Sequence, residues 1–141
     1  MELKEQILNE ISNIEKELKI IHLLNTKNQN KELDDIEIRG ASLSLGSLYN
    51  GIERVLSDLL KSQGISLTNN SSWHTMILNE SLKREVISKA TFNELKGFLA
   101  FRHFVRHAYS FEIDSDTITN IISKAPDIIK QFINEILVCL N

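Results

Sequence analysis

The chain has 141 residues and a net charge of −3, with 42% hydrophobic and 25% charged side chains. These proportions fit one globular domain over residues 1–141 and exclude both a disordered chain and a polycation that would coat nucleic acid along its whole length. The lone Cys139 cannot form an internal disulfide, no apolar run reaches the roughly 18 residues of a membrane span, and "MELKEQILNEISNIEKEL" is too charged for a secretory leader; a reducing cytoplasm is the expected location.

One proline, five glycines and little period-two alternation predict an all-α chain, a bundle of four or five helices. Ile7, Ile11, Ile14, Leu18 and Ile21 recur every three or four positions, which predicts a first amphipathic helix over about 2–25. The polar "NTKNQNKELDD" follows as a connection. A second helix is expected over about 32–62, with Leu45, Leu48, Ile52, Val55 and Leu59 as its apolar stripe. Its small residues Gly40, Ser44, Ser47 and Gly51 predict close approach to a neighbouring helix backbone, or else mark a locally weak helix. "SWHTMILNE" predicts a short third helix capped by Ser71 or Ser72, with Trp73 and His74 as core and cap rather than RNA-stacking residues. The fourth helix is expected from near Thr91 through "FNELKGFLAFRHFVRH". The fifth covers about 115–140, and Pro126 should kink or divide it.

The end of the fourth helix, "AFRHFVRHAYSF" (100–111), is the unusual stretch. From Lys83 to His107 six Lys or Arg face only Glu85 and Glu94, a local excess of four positive charges in an acidic chain. A polyanion would have one preferred landing zone there. On a straight helix with Phe98 at the origin, Glu94, Phe101, Val105 and Ala108 share the core side. Arg102 then falls about 40° from Phe98, Tyr109 about 20° and His107 about 180°. An arginine leaning inward needs a carboxylate, a hydroxyl or a phosphate. Glu53, four residues after Tyr49 in the second helix, is a candidate partner, with an exposed surface glutamate as the alternative.

Four chemistries fit the cluster. It could be a solvated basic face; His103 and His107, four apart, could hold a metal, although the other histidines (22 and 74) are distant in sequence. It could also be a structural network of Arg, Tyr and Glu, or a catalytic or phosphate-binding site. RNA cleavage by attack of the 2′-hydroxyl requires no metal. It needs a group exchanging protons near neutral pH, as histidine does, and a cation on the phosphorane, as arginine provides. Arg102 and His107 are nevertheless about 140° and about 7.5 Å apart on a regular helix. Either the helix distorts near 107–109 or two copies pool their residues.

Arg102, His107 and Tyr109 stand in the pattern R-x-x-x-x-H-x-Y, which resembles that of the HepT-like toxins, a family of the HEPN superfamily of metal-independent ribonucleases. "LYNGIERVLSDLL" (48–60), "SWHTMIL" (72–78) and "YSFEID" (109–114) resemble segments of the same family in the same order. The resemblance implies a helical homodimer whose motifs meet at a cleft, with Arg102 and His107 catalytic and no cofactor; His103, Arg106 and Glu53 are candidate supporting residues from their positions alone. It further implies a type VII-like toxin–antitoxin pair: a ribonuclease attacking RNA, tRNA by expectation, and an MNT-type nucleotidyltransferase antitoxin that silences it by transferring AMP to Tyr109. His103 departs from the small polar residue common after the motif arginine, which leaves open a share in proton transfer. The competing class is a non-catalytic helical partner of a nucleotidyltransferase.

Overall fold

A computed structural model describes residues 2–67, 72–109 and 112–141. Among these residues the chain forms five helices and no strand: α1 (Leu3–Asn28), α2 (Asp35–Ser62), α3 (Trp73–Lys83), α4 (Lys89–His107) and α5 (Ser115–Cys139). The all-α architecture expected from composition is the one found. None of these helices is long and apolar enough to cross a membrane. α2 is the central element, touching all four others, and its pairing with α1 is the most extensive.

The isoleucine stripe of α1 packs as its spacing dictates, with Ile7, Ile11, Ile14 and Ile21 buried. The polar segment after it is shorter than expected, because α1 continues to Asn28 and α2 starts at Asp35. A reciprocal cap fixes that start. The Asp34 carboxylate accepts from the Glu37 backbone N–H at 2.8 Å, and the Glu37 carboxylate accepts from the Asp34 N–H at 3.0 Å. Leu33 and Ile38, on either side of the cap, are both buried and set the angle at which the chain enters α2.

Of the glycines in α2, Gly51 is the one at a close contact. A Cβ there would lie 2.8 Å from Ile14 Cγ1, whereas one at Gly40 would meet nothing within 4 Å. Close approach at a glycine is thus confined to one notch, into which α1 seats Ile14, and not shared by Gly40.

Pro126 does not divide α5, which runs through it without a break. Proline has no N–H, so the carbonyl four residues back loses its intrahelical donor. That carbonyl belongs to Ile122, and the Asn25 side chain of α1 donates to it at 2.8 Å. A neighbouring helix thus supplies the missing hydrogen bond, and the buried Ile118, Ile122, Ala125, Ile129, Phe132 and Ile136 keep α5 against the core.

The turn from α3 into α4 is equally specified. Glu85 adopts a left-handed φ of 59°, the Glu85 and Val86 N–H groups donate back to the Leu82 and Ser81 carbonyls, and Val86 is buried. Ser88 then caps α4, accepting from the Thr91 N–H at 3.2 Å, so the helix begins two residues before Thr91. Glu135 of α5 receives both the Ser88 N–H and the Thr91 hydroxyl. At the start of α3, Ser72 occupies the N-cap position without a side-chain cap bond, while Ser71 lies outside the described residues.

Candidate functional site

The second half of α4 carries the basic cluster. Phe98 and Phe101 are buried against the core and Val105 and Ala108 are half-buried, as the helical spacing predicts; Glu94, placed on the same side by that spacing, is exposed. Arg102 is half-buried at the edge of the apolar face, and His103, Arg106 and His107 are exposed.

Arg102 and Arg106 line a groove of about 440 Å³ between α2 and α4, to which α2 adds Arg39, Ser42, Ser47 and Asn50. Three arginines therefore line one groove, and among the described residues no Asp or Glu does. Arg102 has no ion pair within 4.0 Å among the described residues. A half-buried, unpaired guanidinium facing a groove free of acids favours an anion such as phosphate. No local pattern in the sequence marks Arg39; it lies in α2, far from the motif in the chain, and only packing brings it there.

α4 ends at His107. Ala108 is extended (φ −101°, ψ 148°), although its N–H still donates to the Phe104 carbonyl at 2.9 Å. The helical extrapolation that turned Tyr109 partly inward therefore fails, and the residue is 72% exposed. The Glu112 carboxylate accepts the Tyr109 N–H at 3.0 Å, and the Glu112 N–H donates to the Tyr109 carbonyl at 2.9 Å. The break in the helix thus presents the tyrosine outward. Residues 110 and 111 of the "YSFEID" segment lie outside the described residues.

The His103 and His107 rings lie 4.6 Å apart, tilted by 58°. Among the described residues no group of three or more His, Cys, Asp or Glu side chains is placed to hold a metal, so this pair has no third donor there. His107 is absent from the lining of the arginine groove, so a single chain does not gather Arg102 and His107 in it.

Glu53, expected beside Arg102, pairs elsewhere: its Oε2 lies 2.6 Å from Nδ1 of His74 in α3. The glutamate is buried, at 5% exposure, and not the surface residue of the alternative reading. His74 in turn is neither core nor helix cap. Nothing local in the sequence couples these residues, which the packing of α2 on α3 brings together. Asn50, Glu53, Trp73, His74 and Arg102 share a second recess of about 330 Å³. Behind it Tyr49 is buried, and its hydroxyl has no hydrogen-bond partner among the described residues. Burial holds the phenol far above its ordinary pKa, the nearby Glu53 charge adds to that, and the Arg102 charge opposes it.

A family model described as "HepT-like protein" matches residues 40–139. Among solved structures, the chain is similar to a cytosolic protein of unknown function, YutE from Bacillus subtilis, at 16% identity and a TM-score of 0.75, over 97% of this chain and 90% of that one. It is also similar to a chain from the crystal structure of a mutant of the toxin-antitoxin MntA-HpeT, at 18% identity and a TM-score of 0.76, over 94% of this chain and 97% of that one. At such identities the likeness is one of fold. No curated protein matches the chain.

Proposed function

The chain belongs to the HepT-like family, and from that premise we propose that it is the ribonuclease toxin of a HEPN–MNT toxin–antitoxin pair. The observation carrying the proposal is Arg102, half-buried in a groove with Arg39 and Arg106, without an ion-pair partner among the described residues. An RNA phosphate is the anion that would complete it. The 2′-oxygen attacks the adjacent phosphorus, the bond to the 5′-oxygen breaks, and the arginine fork offsets charge on the phosphorane. His107 exchanges a proton with the reacting oxygens. Because His107 lies outside the Arg102 groove on its own chain, a second copy brings it there. The exposed Leu43 and Phe104 at the groove and beside the motif suit a face between copies. Arg106 adds positive charge along the path of the RNA, and His103 a hydrogen-bonding ring.

Control of the activity would fall on Tyr109. Its exposed phenol, just past the end of α4, is open to a nucleotidyltransferase. Transfer of AMP from ATP to the phenolic oxygen, with release of pyrophosphate, would put a bulky phosphodiester beside the arginines and compete with RNA.

Incubating total RNA with the parent protein, Arg102→Ala and His107→Ala tests the catalytic reading, with cleavage expected from the parent alone. Equal cleavage by parent and variants, or none by any, defeats it and leaves the non-catalytic partner as the better account. Sedimentation at the assay concentration tests the shared site: a monomer cleaving at full rate removes it.

A further inference from the structure

Breaking a phosphodiester through its 2′-hydroxyl requires one proton to leave the 2′-oxygen and another to reach the departing 5′-oxygen. Two proton-exchanging groups serve that sequence best, and the motif supplies His107 for one of them. His74 has the surroundings for the other. The Glu53 carboxylate lies at its Nδ1, which places the proton there and orients the ring; Nε2 is left to face a ligand. Glu53 is almost wholly buried, whereas the His74 side chain is 27% exposed and faces the recess that Arg102 also lines. A pair serving packing alone has no need of an open face beside an unpaired arginine. The Trp73 ring, 5.0 Å from the imidazole and tilted by 45°, walls one side. The charged groups around the recess are Glu53, Arg54, Asp58 and Lys61 from α2 and Arg102 from α4, so cations outnumber acids.

We propose that His74, oriented by Glu53 in the recess lined by Arg102, is a second catalytic residue, the proton donor to the 5′-oxygen. The assignment rests on the ribonuclease reading and deepens it. The 2′-oxygen–phosphorus bond forms as His107 accepts the 2′-hydroxyl proton; the phosphorus–5′-oxygen bond breaks as His74 Nε2 delivers its own. A cyclic phosphate and a free 5′-hydroxyl result, with no other reactant required. Arg102, which lines both the arginine groove and this recess, then belongs with His74 to one chain, and His107 to its partner.

The test compares full-length parent, His74→Ala and Glu53→Gln on an RNA whose cut site has been mapped, across pH, with circular dichroism to verify folding. His74→Ala should cleave roughly 100-fold more slowly or worse, and the fall in rate on the alkaline side of the parent profile should disappear. Glu53→Gln preserves the shape but removes the carboxylate that orients the ring; it should lose roughly 10-fold. A substrate with sulfur in place of the 5′-bridging oxygen departs without a proton, and on it His74→Ala should recover to within about 10-fold of the parent. Parent-like cleavage of ordinary RNA by His74→Ala, or an equal deficit on both substrates, overturns the donor role while the ribonuclease reading stands. A parent that cuts no RNA overturns both.

Discussion

At the N-terminal end of α4, Ser88 caps the helix and Glu135 of α5 holds the Ser88 N–H and the Thr91 hydroxyl. At the C-terminal end, Arg106 and His107 stand exposed, Ala108 leaves the helix, and among the described residues no other element hydrogen-bonds to residues 103–107. One end of the helix is anchored by a neighbour; the other presents its charges outward. The basic last turn suits the negative end of the helix dipole, but that local gain is only about 0.3–1 kcal/mol and does not account for three arginines sharing one groove. The anchored end holds the bare end in place, so stability and the proposed chemistry should be separable along a single helix.

The largest expected effect tests that separation directly. Arg102→Ala or His107→Ala should slow RNA cleavage by roughly 10²–10⁴, equivalent to about 3–5 kcal/mol of barrier, while the melting temperature moves by no more than a few degrees. A large fall in melting temperature would make the C-terminal end structural and break the contrast. The converse variant is Glu135→Ala, which leaves the Ser88 N–H and the Thr91 hydroxyl without their acceptor. It should cost about 1–3 kcal/mol of stability by denaturant titration, with cleavage at 25 °C unchanged. Smaller still is Asn25→Ala, which strips the Ile122 carbonyl of its donor and should cost about 1 kcal/mol in the same titration. Tyr109→Phe should change stability by less than about 0.5 kcal/mol, since the phenol is on the surface. Its effect should appear in mass spectrometry instead: with antitoxin and ATP the parent gains multiples of AMP and the variant none. A variant that gains the mass shifts the acceptor elsewhere.

Features set by short-range pattern were legible in the residues. The isoleucines of α1 carry their period on their face, and Arg102 is half-buried where its angle from Phe98 put it. The Asp34–Glu37 cap is equally readable as D-x-x-E before an apolar run, and it sets the start of α2 at Asp35, a few residues later than the apolar period alone implies. What the pattern could not supply was contact between distant segments. Glu53 has an arginine motif and a histidine as rival partners, and only the packing of α3 on α2 selects His74. Pro126 reads as a break unless the amide of Asn25, 97 residues away, is known to be at hand. The end of α4 is hidden for another reason. Nothing in "RHAYS" forbids a further helical turn, so angles extrapolated past His107 turned Tyr109 toward a core it never reaches.

The Asn25–Ile122 hydrogen bond bears on where this protein can be cut. The stretch matched as HepT-like begins at residue 40, leaving all of α1 outside it. Yet α1 covers the broadest face of α2, seats Ile14 in the notch at Gly51 and mends the backbone of α5 at its proline. A fragment trimmed to 40–139 would expose an apolar flank and a bare carbonyl in mid-helix together. α1 is thus expected to act as a splint for α5 at its proline, and a 40–139 fragment to be markedly less stable than the full chain.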